Sequence, residues 1–155
     1  SAERYAMACY VGSFGPGDMD AAQEDRRGMF SRNSTTRFRD ISDGLSQTFA
    51  AGERVNGPFR GTNAHGVHIT YETNWVGAVR EITDPTDDHG HMVMFQSTHV
   101  PNSPESDDRE VSAPHDGGAH FLLGDGSVRF LTASIDLQIY QNLSQINDGA
   151  SIGEY

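Results

Sequence analysis

The chain has no lysine, a single cysteine (Cys9) and no long uninterrupted apolar run. One cysteine rules out an internal disulfide and leaves the compartment open, since many exported bacterial proteins lack disulfides. The default expectation for such a lone thiol is a small buried side chain. No segment approaches the roughly 18 apolar residues that a membrane-crossing helix needs, so the chain as given is not expected to be an integral membrane domain. No signal-peptide pattern is visible. All 11 basic residues are arginines, set against 22 Asp and Glu, for a net charge of -11. Such a surface repels phosphate backbones and anionic headgroups, so nucleic acid and anionic membranes are poor partners, and cations or neutral and cationic surfaces suit it better. Gly-x-Ser-x-Gly, His-Glu-x-x-His and Cys-x-x-Cys are absent, which removes the usual signals for a nucleophile elbow, a helical zinc site or a paired-cysteine site. Gly15-Pro16-Gly17 does not lead into a clear helix, so no phosphate-cradling loop is read there.

What is present suits one globular domain spanning 1–155. A chain of 155 residues buries roughly 68–70% of its unfolded surface, enough for one core. Glycine and turn residues are frequent and helical periodicity is scarce. Strands are expected within 5–14, 47–51 and 68–79 and at the apolar run 92–95, with a polar loop or short helix at 15–28 and polar loops at 83–90 and 101–110. The best helix candidate is Ser134 to Asp148. Ser134 reads as its N-cap, Ile135, Ile139, Tyr140, Leu143 and Ile146 share a face, and Gly149 closes it. The expected class is α+β: an antiparallel sheet with a C-terminal hairpin, one packed helix and long loops.

Two segments stand out. From His115 to Leu131 the chain reads His-Asp-Gly-Gly-Ala-His-Phe-Leu-Leu-Gly-Asp-Gly-Ser-Val-Arg-Phe-Leu. Asp125-Gly126 is expected to be a two-residue type I′ loop pairing Leu123 with Val128 and Phe121 with Phe130, which puts those four on one face and His120, Leu122 and Arg129 on the other. From Arg37 to Glu53 the chain runs Asp-Ile-Ser-Asp-Gly-Leu-Ser-Gln-Thr at its centre and ends in Gly-Glu. There Asp40 is a plausible N-cap for a short turn that Gly44 ends. His115, nine residues, then Asp125-Gly126 resembles the C-terminal mark of the pilin-like DUF1559 proteins, which are abundant in planctomycetes. The Asp40–Thr48 run resembles a second motif of that family, and Trp75-Val76-Gly77 is similar to a familial step. The resemblance implies a pilin-like fold, export through a type II secretion or type IV pilus-like pathway, an extracellular or cell-surface location, and other pilin-like subunits as partners. It also implies a hydrophobic N-terminal helix removed from, or lying outside, the sequence given. His120 and Gly124 depart from the small or apolar residues expected in the hairpin.

Chemistry-bearing residues fall into four groups. The histidines His65, His68, His89, His91, His99, His115 and His120 include two close pairs. Asp84, Asp87, Asp88, His89 and His91 together can offer ligands to a transition metal, and Asp84, Asp87 and Asp88, or Asp107 and Asp108, to calcium. No calcium-loop consensus is present. The motif residues His115, Gly117, Gly118, Asp125, Gly126, Asp40, Asp43 and Gly44 read as structural: His115 as an anchor to backbone groups, Asp125 as a turn residue. A catalytic pairing of His115 with Asp125 is disfavoured, because an extended strand at about 3.3 Å per residue separates them. Glu53, Glu72 and Glu81 are candidate carboxylates beside strands. Tyr71 and Trp75 face the same side of an extended segment and can stack on sugar rings. The favoured reading is a non-enzymatic, pseudopilin-like structural or binding domain. The alternative is a secreted polysaccharide-active enzyme or carbohydrate-binding domain, with or without a metal, using His65, His68, His89, His91 and His115.

Overall fold

The structure, a computed structural model, describes residues 6–19, 27–31, 33–62, 64, 66, 68–71, 73–77, 92–150 and 152–153; of 57–62 and 68–71 it describes the backbone. Seven strands and one helix are present among these residues: β1 (Tyr10–Gly15), β2 (Phe49–Glu53), β3 (Gly57–Thr62), β4 (His68–Tyr71), β5 (Met94–Gln96), β6 (Gly118–Leu123), β7 (Val128–Thr132) and α1 (Leu137–Leu143). Five of them form one sheet in the order β5-β1-β2-β6-β7, and β3 pairs with β4 in a separate ribbon. The fold is α+β and the sheet mostly antiparallel, with one correction: β1 and β5 run parallel. They are far apart in sequence, so the connection between them is long enough for the crossover that parallel pairing demands. β3 lies where no strand was expected, and β2 begins at Phe49, two residues later than its pattern suggested.

One sheet face carries the core. Val11, Phe49, Phe95, Ala119, Phe121 and Leu131 point into it, and Tyr140 and Leu143 of α1 close it from above. Phe49 and Phe121 stack with ring centres 4.4 Å apart, and Phe95 and Tyr140 meet Phe121 edge-on at 6.0 and 5.7 Å. Such offset and edge-to-face geometry adds to the gain from area buried. Val111 and Ala113 complete the cluster from the segment before β6.

The helix is shorter than its sequence pattern. Asp136, not Ser134, is the N-cap: its Oδ1 accepts from the Gln138 and Ile139 amides at 2.9 and 3.1 Å. An ionised cap facing two orphan N–H groups outcompetes a hydroxyl two residues upstream. Ser134 instead bonds Thr132 through its hydroxyl. Ile146 lies beyond the helix and packs in a second cluster with Met29 and Ile41.

The hairpin register differs by one residue from the expected one. Phe121 faces Arg129, and Leu122 faces Val128. The Gly126 amide donates to Leu123 O and the Leu123 amide to Ser127 O, which makes a three-residue loop of Gly124-Asp125-Gly126 with Gly126 at φ +86°. This is a type I turn completed by a left-handed glycine rather than a two-residue I′ turn. A slip of one exchanges faces. Val128 and Phe130 therefore lie outward with His120 and Leu122, while Phe121, Leu123 and Leu131 go inward. Cys9 is also corrected: its thiol is free and exposed, because the segment before β1 runs along the surface.

Candidate functional site

The two motif segments, whose facing ends Glu53 and His115 are 62 positions apart in the chain, are adjacent in space. β2 pairs with β6. The Gly124 amide donates to Thr48 O at 2.9 Å and the Asp125 amide to Leu45 O at 3.1 Å. Several motif residues close local joins. Asp43 accepts from the Asp148 and Gly149 amides at 2.7 and 3.0 Å, which fastens the segment after α1. Asp125 accepts from the Ser127 amide and hydroxyl at 2.9 and 2.7 Å, and these bonds hold its carboxyl below the usual carboxylate range. Gly118 lies so close to β7 that an added Cβ would sit 2.0 Å from Leu131 O. Gly44 (φ +98°) precedes a 3-10 turn at Leu45–Gln47 rather than ending one. Asp40 is likewise corrected: it ends the 3-10 turn Phe38–Asp40 and its carboxylate reaches back to the Arg37 amide at 2.9 Å.

At the edge of this paired region, three side chains converge. Glu53 ends β2, His120 lies on the neighbouring β6, and His115 sits in the connection leading into β6. His115 Nε2 is 2.9 Å from Glu53 Oε1, and His120 Nδ1 is 3.1 Å from Oε2. The His120 amide also donates to Oε2 at 3.1 Å. Burial opposes ionisation of Glu53, but the His120 amide and the two imidazoles outweigh it and hold the carboxyl below its ordinary value. The imidazoles meet edge to face with centres 5.1 Å apart, and Phe130 backs His120 at 5.0 Å. Asn102 steadies the connection by donating to the carbonyls of His115 and Gly118 at 3.2 and 3.0 Å. Glu53 is 13% exposed, while His115 and His120 are 46% and 39% exposed. The cluster is thus anchored from inside and open outside. His115 uses its ring on a carboxylate, not on backbone groups as expected from sequence. It also has no catalytic partnership with Asp125, which lies at the opposite end of β6.

A second carboxylate lies deeper. Glu110 is 1% exposed and is surrounded by the Thr98 hydroxyl, the His99 ring at 3.1 Å, the Gln96 amide at 3.4 Å and the Asp107 amide at 2.9 Å. Burial opposes its charge, and these bonds restore it. Asp107 is pushed the other way, by its own burial and by the Glu110 charge. Arg54, next to Glu53 in sequence and 1% exposed, points to the opposite side and donates to the carbonyls of Glu110, Arg109 and Met94.

The other candidates divide plainly. His65, Glu72, Glu81, Asp84, Asp87, Asp88, His89 and His91 lie outside the described residues, as do the side chains of His68 and Tyr71. His99 belongs to Glu110. Trp75 is 73% exposed, with its indole N–H donating to Tyr10 O at 3.0 Å. It stands at the lip of a cavity of about 530 Å³ on the outer sheet face, lined by Phe14, Phe30, Ala51, Met94 and Leu122 among others. Sequence reasoning missed Glu53 and His120 as partners of His115. A signal existed: the terminal Gly-Glu of one motif and the polar His120 intruding in the hairpin of the other. Only the strand pairing joins them.

The family described as protein of unknown function DUF1559 matches the chain over residues 2–138. No curated protein matches it, and no solved structure does either.

Proposed function

The chain belongs to the DUF1559 family, and from that premise we propose that it is a surface-exposed, pseudopilin-like structural or binding domain of a secretion or pilus-like apparatus. The observation that supports it is the use of the motif residues. Asp43, Asp125, Asp40 and Gly118 serve joins between segments. A group whose lone pairs are taken by backbone amides is a poor general base and a good staple. Function belongs to sites rather than folds, so a scaffold of this kind presents its outer surfaces to neighbours. The test is made on the full-length protein in the cells that produce it. Surface shearing followed by cross-linking should recover the chain outside the cytoplasm, joined to other pilin-like subunits. Retention in the cytoplasmic fraction, or a monomer under all cross-linking conditions, would overturn the reading.

A second reading rests on Trp75. An indole this exposed, tied by its N–H to Tyr10 O beside an apolar cavity, suits stacking on a sugar ring. A polysaccharide panel should then show binding that Trp75→Ala abolishes; unchanged binding in that variant, or none in the parent, removes this reading.

A further inference from the structure

We propose that Glu53, His115 and His120 bind a divalent transition-metal ion of the zinc class. Each offers one ligand atom, and these atoms all lie within 4.8 Å of one another. The set is two imidazole nitrogens and one carboxylate oxygen, the donor type that zinc accepts with a fourth position left open. A metal about 2.05 Å from each nitrogen at a tetrahedral angle puts the two ring centres about 5 Å apart. The observed separation is 5.1 Å, with the rings at 85°. His115 Nε2 approaches Glu53 Oε1 at 2.9 Å and His120 Nδ1 approaches Oε2 at 3.1 Å, near the ligand edge of about 3.3 Å of such a site though on the two different oxygens. Closing the set on one ion asks for rotation of the two half-exposed imidazoles and of the Glu53 carboxylate.

Two further features suit an ion. The carboxylate is oriented by the His120 amide at 3.1 Å, so its position does not depend on the ion it would hold; outer bonds of this kind orient metal ligands. The three residues come from separate segments, β2, the connection and β6, which the Asn102 side chain and the β2–β6 pairing already hold in place. The net charge of -11 favours any cation, but the two nitrogens select zinc over calcium, which takes oxygen ligands. The inference is independent of assembly, since it concerns the isolated chain.

The experiment is titration of the whole chain with zinc alone, read by competition against a colorimetric chelator and by calorimetry at neutral pH. One equivalent should bind, calcium should not compete, and zinc should raise the melting temperature. His115→Ala and His120→Ala should each weaken binding at least about tenfold, because even changes in outer-shell partners cost that much. Circular dichroism checks that both variants fold; His115 lies outside the strands. If either loses its fold, Glu53→Gln and the visible spectrum of bound cobalt in the parent chain take their place. A tetrahedral cobalt spectrum lost in Glu53→Gln supports the site. A variant in which His65, His68, His89 and His91 are all changed to Asn should keep the equivalent. The proposal is overturned if the parent binds no zinc, if the equivalent survives His115→Ala together with His120→Ala, or if it disappears in the four-histidine variant.

Discussion

Glu53 and Glu110 are two carboxylates with the same kind of partner and opposite situations. Both are held ionised against burial by hydrogen bonds, and both have histidine beside them. Glu110 is closed in: hydroxyl, amide and imidazole donors surround it, and Arg54 binds the carbonyls of its own and neighbouring residues. Glu53 is anchored on its inner side by the His120 amide, while its imidazole partners open to solvent. Consecutive residues at the end of β2 supply the two sites, Glu53 to one side and Arg54 to the other. A saturated polar network specifies the fold, whereas a half-open one leaves donor atoms for something outside.

Breaking the closed side should cost most. Arg54→Ala removes the buried guanidinium that donates to three carbonyls, of which Arg109 O keeps the Gln96 amide, and destabilisation of about 2–4 kcal/mol is expected from losing these charge-assisted bonds. Urea denaturation measures it; a loss below about 1 kcal/mol would mean that the guanidinium is not the keystone of that side. Asp43→Ala should cost about 1–3 kcal/mol, since two amides lose a charged acceptor. Its diagnostic is local: hydrogen exchange at Asp148 and Gly149 should speed up before the core opens. Glu53→Gln should cost less than about 1 kcal/mol, because its bonds are partly exposed to water. If it unfolds the protein as readily as Arg54→Ala does, the contrast between closed and open sites is wrong.

Acid sharpens the same contrast. Glu53 and Glu110 both sit below their ordinary value of 4.5 in the folded chain. A carboxyl depressed by folding contributes stability that is complete above its unfolded pKa and is lost as pH falls through the folded one. Stability should therefore decline from about pH 4.5 downward. Asp107, raised above 3.8, has the opposite sign: its ionisation opposes folding as pH rises past 3.8, and it offsets part of the gain from Glu110. In denaturation series from pH 6 to pH 2.5, Glu110→Gln should flatten the acid loss more than Glu53→Gln does. Equal effects would place both carboxyls in comparable environments.

The hairpin and the helix show where legibility ended. Asp125-Gly126 announced a turn, and Leu123, Phe121 and Val128 announced strands, but not how many residues the loop would use. A left-handed Gly126 adds one residue to the loop, and every outward side chain follows from that. The sequence pattern around 134–146 announced a helix with Ser134 as its cap, but the carboxylate of Asp136, two residues further on, takes that place. β3 carries glycine, proline and arginine rather than alternating apolar residues, so nothing local marked it. The structural role of Asp125 could be read from its neighbours, because its partners lie two residues away. Those of Asp43 could not, because they lie more than a hundred residues away.

Local chemistry determined the class of this protein: strands from β-branched and aromatic runs, turns from Asp-Gly steps, and the motifs that mark the family. Only tertiary structure decided which histidine meets which carboxylate. Glu53, His115 and His120 share no period in the chain. They meet because β2 pairs with β6 in one register, and that register depends on core packing and loop geometry that no short stretch of sequence carries.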